Sequence, residues 1–219
     1  MAKNLTAMNL VEFAPAVVAG KAKLGGGDPP PVRPIAPLGT NVWLAVLMFL
    51  GAEAMFFAGL IGAYVVFRVA AAVWPPAFQP RLPIVVTGVN TAILLASAWT
   101  MRLALQAARR DDRMKLIRHL GVTALLGSIF LAVQGFEWLE LIRFGLTVSS
   151  SVYGGLFYTL IGFHAAHVLG ALVWLAVVFV LARQGRYTKA SHVGLQTCRM
   201  YWTFVVALWP VLYGLVYLY

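Results

Sequence analysis

Seven polar residues interrupt otherwise apolar stretches of this chain, and they are the side chains whose types and spacing could do chemistry. Glu53 lies within FLGAEAMFFAGL (49–60), Asn90 and Thr91 open NTAILLAS (90–97), Gln134 and Glu137 fall in LAVQGFEW (131–138), and His164 and His167 fall in VYGGLFYTLIGFHAAHVLGA (152–171). A carboxylate in hydrocarbon is costly unless it is protonated, paired or facing water. Gln134 and Glu137 are three apart and so share one helix face, as do His164 and His167.

Carboxylates and imidazoles gathered in one bundle admit three chemistries. A metal or haem centre is the first, but a di-iron bundle wants Glu-x-x-His on each of two helices, and a bis-His haem wants histidines on facing helices. Both intramembrane histidines here lie on one stretch. A proton relay is the second, since Glu and His chains in membranes serve that purpose; no acid–base ladder crosses the chain, so a self-contained pump is disfavoured. In the third, the polar groups simply bond one another between helices. Composition alone favours this third reading. The single cysteine, Cys198, reads as a small core residue, and no phosphate-cradling or hydrolase motif is present.

The elements that must position these residues are membrane spans. Of 219 residues, 61% are hydrophobic and 11% charged, against about 45–50% and roughly 25% in soluble domains. Five stretches are long enough to cross a bilayer, at about 41–67, 83–105, 117–141, 152–182 and 200–219. This predicts an all-α, polytopic membrane helix bundle, here expected as one domain over 41–219. Residues 1–40, with GGGDPPPVRP at 25–34, read as a flexible cytoplasmic arm, and Asn41 is expected to cap the first span. With the N-terminus inside, 14 of the 17 basic residues fall on the cytoplasmic side, which predicts N-in and C-out. The formal charge of +10 is divided among loops that alternate with spans, so it reads as topology and contact with anionic headgroups rather than nucleic-acid binding. Three prolines in 68–82 should turn the chain, the basic link 106–119 is helix-compatible, and Pro210 should kink the last span. Small residues at helix-packing spacing (Gly51, Ala54, Ala58 and Gly62; Gly154, Gly155, Gly162, Ala166 and Gly170) predict close approach of the first and fourth spans to neighbours.

The order of motifs adds a resemblance. FLGAEAMFFAGL, WPP at 74–76, NTAILLAS, LAVQGFEW, VYGGLFYTLIGFHAAHVLGA and YWTFVVALW at 201–209 together resemble subunit III of the haem-copper terminal oxidases, in the five-helix bacterial form, from about residue 41 to the C-terminus. The resemblance implies a non-redox accessory subunit of a proton-pumping cytochrome c oxidase of aerobic respiration, sited in the bacterial inner membrane. It implies no catalytic, cofactor or metal site in this chain, with haem and copper held by partner subunits. Subunit I would be the main contact and subunit II a member of the same complex, with a respiratory supercomplex as a further setting that the resemblance admits. Bound phospholipid and support of proton uptake near the mouth of a proton pathway are implied as well. Seven-span members carry two further helices that form half of a lipid cleft, and this chain starts at the third of those spans.

By resemblance, Glu53 matches the family's carbodiimide-reactive helix carboxylate, a buried acid near subunit I. Glu137, His164 and His167 match family positions, and Glu137 and His164 are expected to join across the third and fourth spans. Asn90 and Thr91 match an Asn-Thr pair for which capping or interhelical hydrogen bonds suffice. Thr203, Val206 and Gln196 depart from the usual His, Asp and Glu, which weakens any proton relay at that end. Two alternatives stay open: a subunit-III-like component of a quinol oxidase or nitric oxide reductase, and a small proton-coupled transporter using Glu53, Glu137 and His164. Transporters of the discontinuous-helix type would show mid-membrane helix breaks, which the first four spans lack.

Overall fold

The structure is a computed structural model that describes residues 38–76, 82–188 and 191–218. The expected N-terminal arm lies outside the described residues, except that helix is already present at Leu38. Five long helices follow in order: α1 Leu38–Ala70, α2 Ile84–Arg109, α3 Arg113–Arg143, α4 Val152–Arg183 and α5 Val193–Tyr213, the last continued by a π-helical turn over Gly214–Leu218. All five are long and apolar enough to cross a membrane, and no strand occurs among the described residues.

Helix ends follow local rules. Asp112 and Ser151 cap α3 and α4, their side-chain oxygens accepting from the amides of Lys115 (3.0 Å) and Gly154 (3.1 Å). The Lys115 ammonium also pairs with Asp112 at 2.8 Å, and these bonds hold the carboxyl below its ordinary range. The turns after α2, α3 and α4 share one device, a left-handed residue (Asp111, Gly145 and Gly185) followed by a backbone bond that reaches back to the last turn. Asp112 N–H donates to Ala107, Leu146 N–H to Leu141 and Arg186 N–H to Leu181, the pattern of a Schellman motif. Asn41 does not cap α1, because helix begins before it. Likewise α5 begins at Val193 rather than near 200: Gln196, Thr197 and Arg199 lower the hydropathy of this first stretch without preventing helix.

In the bundle α5 is central, touching α1, α2 and α4, while α3 bridges α2 and α4. α1 packs mainly on α5 and less on α4, so it stands at the edge. Its buried hydrophobic residues are Phe57 and Tyr64, two turns apart on one stripe, and the outward face from Met48 (68% exposed) through Met55 (78% exposed) to Val69 is bare.

The small-residue stripes mark close approach within this chain only in part. A Cβ on Gly51, Gly62, Gly162 or Gly170 would meet no atom within 4 Å. Close approach occurs at Gly154, at the start of the α4 stripe, against the carbonyl of Thr147, and outside the stripes at Gly127, where a Cβ would stand 2.5 Å from the ring of Trp202. Trp202 is 1% exposed and donates its indole N–H to Ser97 at 3.1 Å, so it cannot yield without breaking that bond. Gly127→Ala is therefore expected to destabilise the chain by about 1–3 kcal/mol, as overpacking does. Unfolding in mixed detergent micelles checks this, and a change within error of zero would contradict it.

Candidate functional site: two buried polar groups divided by an aromatic wall

The first group joins the edge helix to α4. Glu53 Oε2 lies 2.7 Å from His167 Nε2, with both side chains 17% exposed. The other ring nitrogen, Nδ1, lies 2.6 Å from the carbonyl of Phe163, which can only accept, so Nδ1 carries the hydrogen. The Nε2···Oε2 bond then holds one proton in either form, as a carboxylic acid donating to imidazole or as imidazolium donating to carboxylate. Phe57 meets His167 edge-on at 5.0 Å and Phe56 stacks on it at 6.3 Å, which gives the pair an apolar setting. Glu53 is roughly 22 Å along α1 from its first turn, near the middle of the span.

The second group lies near the far ends of α2 and α3. Glu137 is 5% exposed; its two oxygens lie 3.0 Å from the Thr87 hydroxyl, and the Gln134 amide donates to it at 3.1 Å. That amide also reaches the Tyr217 hydroxyl on the π turn at 3.2 Å. Thr87 is also 2.9 Å from the Pro83 carbonyl, so one hydroxyl proton faces three acceptor oxygens. An apolar cleft of about 220 Å³, lined by Pro83, Val86, Phe136 and Phe144, opens beside Glu137.

Between them stands a wall of rings. His164 stacks on Trp209 at 5.0 Å, Phe130 meets Trp209 edge-on at 5.0 Å, and Phe57 and Tyr217 flank them. Trp209 donates to the Thr91 hydroxyl at 2.8 Å, Thr91 donates to the Thr87 carbonyl at 2.7 Å, and Asn90 donates to the Phe130 carbonyl on α3 at 3.0 Å. From inside α2, Asn90 thus bonds to α3 and Thr91 to α5, rather than capping the helix.

The expected bond between Glu137 and His164 is not formed. Glu137 is held by Thr87 and Gln134, and both ring nitrogens of His164 are buried without a hydrogen-bond partner. Three residues along a helix turn the side chain by about 300°, which sends His164 into the core and His167 toward α1. Since His164 is held by ring packing, His164→Phe should cost no more than about 1 kcal/mol, because replacing an unsatisfied polar group by an apolar one of similar shape is nearly neutral. A loss of several kcal/mol in micelle unfolding would show that an imidazole nitrogen finds a partner after all. Thr87, Ser97, Trp209 and Tyr217 are the participants that reading the sequence missed. Val206, where the family pattern has Asp, is 1% exposed in the core, so an apolar residue suits it. Among the described residues no three His, Cys, Asp or Glu side chains converge as a metal-binding group.

Fold and site together define a multi-pass helical membrane subunit whose polar groups are satisfied mainly within the bundle. Residues 36–219 match the family model for cytochrome c oxidase subunit III. Similar curated proteins include cytochrome c oxidase subunit 3 of Synechocystis sp., 40% identical over 174 residues, spanning 79% of this chain and 73% of that protein. The probable cytochrome c oxidase subunit 3 of Nocardia farcinica is 35% identical over 182 residues, spanning 82% and 86%. Cytochrome c oxidase subunit 3 of Thermostichus vulcanus is 33% identical over 176 residues, spanning 80% and 86%. The chain belongs to the cytochrome c oxidase subunit III family, and is accordingly an accessory subunit of an oxidase complex.

Proposed function

We propose that this chain serves its complex without a catalytic centre of its own, docking on subunit I of a haem-copper oxygen reductase in a bacterial inner membrane, N-terminus inside. Subunit II completes the electron path, and this chain stabilises subunit I and supports proton uptake beside it. The observation that carries the reading is α1: an edge helix with a bare apolar face, open glycines at Gly51 and Gly62, and the Glu53–His167 pair set into its inner side. Small residues on an unpartnered membrane helix allow another subunit's backbone to approach closely. Bound phospholipid would fill whatever part of that face subunit I leaves bare.

The test is to tag the chain, purify it in mild detergent from native membranes, and record the reduced-minus-oxidised haem spectrum with the copper content. Haem and copper carried by larger co-purifying subunits support the reading, and adding cytochrome c or quinol identifies the donor; a metal-free preparation from intact membranes opposes it. Glu53→Gln is expected to leave assembly and initial oxygen consumption nearly intact, since the amide can still donate to His167 and the residue lies off the redox path. A variant complex that assembles with full metal content yet is inactive from its first turnover would contradict the accessory role.

A further inference from the structure

Glu137 and Glu140 sit three residues apart on α3 and line one cleft of about 220 Å³, yet their surroundings differ in kind. Glu140 is at the rim, where Arg143 pairs with it at 2.7 Å, as suits a carboxylate. Glu137 is 5% exposed, and none of the ion pairs among the described residues includes it. Facing it are Pro83, Val86 and Thr87 of α2, Gln134 on its own helix, and Tyr217 of the π turn with Tyr153 of α4 behind it. None of these is a cation.

As a carboxylate, Glu137 could only accept hydrogen bonds. The Thr87 hydroxyl would then have one hydrogen for the Pro83 carbonyl at 2.9 Å and both carboxylate oxygens at 3.0 Å. A full charge would rest, in an apolar setting, on that shared hydrogen and one amide of Gln134. One added proton resolves the set. A carboxylic acid donates to Thr87, Thr87 donates to the Pro83 carbonyl, and the second oxygen of Glu137 accepts from Gln134. Glu137 also lies six residues, roughly 9 Å, from the end of α3, and Glu140 stands one turn nearer that end. The cleft is roomy enough for water and offers it two carboxyl groups as polar partners.

We infer that Glu137 is a proton-binding site, a carboxylic acid that donates to Thr87 and exchanges its proton with water through the cleft by way of Glu140. In each exchange the O–H bond of Glu137 breaks as one forms on Glu140, which passes that proton to water. A proton returning by the same route restores the acid. The wall formed by Trp209, Phe130 and His164 divides this site from the Glu53–His167 pair, so it does not depend on how α1 meets a partner.

The experiment is infrared spectroscopy of the chain, purified with its partners, on transfer from H2O to D2O. The wild type should show a carboxylic-acid C=O band that shifts on deuteration and is missing from Glu137→Gln, whose amide can still donate to Thr87 and accept from Gln134. Thr87→Val removes the acceptor and should move the band to higher frequency without abolishing it, a response that an ionised, merely structural carboxylate would not give. Glu140→Gln, at the rim, should keep the band and slow its deuterium shift by about 100-fold, the lower end of what a positioned acid–base group contributes. A carboxylic-acid region that both Glu137→Gln and Thr87→Val leave unchanged would mean that Glu137 is ionised, and would overturn the site. Equal exchange rates in the wild type and Glu140→Gln would overturn the route.

Discussion

Trp209→Ala is expected to destabilise the bundle by about 3–5 kcal/mol, the largest effect of any single substitution considered, because it empties the contact shared by three helices and the π turn. Trp209 is fully buried; its ring meets Phe130 of α3 and His164 of α4 at 5.0 Å each, lies 6.5 Å from Tyr217, and donates to Thr91 of α2 at 2.8 Å. In a membrane the loss is not of water exclusion but of dispersion contacts that lipid cannot replace inside a closed bundle. Trp209→Phe separates the two contributions, since it keeps most of the ring and removes the N–H; it should cost about 1 kcal/mol for the bond, plus a smaller packing loss. Reversible unfolding in mixed micelles reads both. Near-equal effects of Ala and Phe would mean that the hydrogen bond, not the packing, holds this position.

How much of this was legible follows from what a linear pattern encodes. Five spans could be read directly, because each is a long apolar run, and the helical continuation of the basic 106–119 link was legible from its composition. The polar residues were legible as polar in apolar surroundings, but their partners were not. Glu53 with His167 and Glu137 with Thr87 are contacts between helices separated by 114 and 50 positions. Which of two histidines three residues apart faces α1 depends on helix rotation, and the uniformly apolar α1 and α4 give that rotation little pattern to read. One signal was available and unused: Thr87, Asn90, Thr91 and Ser97 form a small-polar stripe at helical spacing on α2, which is the stripe that receives Glu137 and Trp209. The glycines of α1, and Gly162 and Gly170 of α4, mark no close approach within this chain, because a small residue permits a neighbour without supplying one. Gly127 carries the tight contact because a large ring, Trp202, arrives there from α5.

His167→Leu is expected to cost more than the loss of one hydrogen bond, because it strands a carboxyl group. Glu53 would keep its place at the middle of α1, 17% exposed beside Phe57, with its partner gone. A polar group left unsatisfied in such a place costs about 1–3 kcal/mol, and the hydrocarbon setting pushes toward the upper end because no water is at hand to replace the imidazole. The converse change, Glu53→Leu, leaves His167 with its bond to the Phe163 carbonyl intact, so it should cost less. Glu53→Leu/His167→Leu removes both polar groups and should recover most of the loss seen in His167→Leu, giving a coupling energy of about 1–3 kcal/mol in a double-mutant cycle read by micelle unfolding. A cycle that closes with no coupling would show that the pair is a contact without energetic weight. If the double variant is stable alone yet fails to retain the larger oxidase subunits on purification, the pair's value lies in presenting α1 to its partner, and the edge helix rather than the bundle core is where this subunit meets the complex.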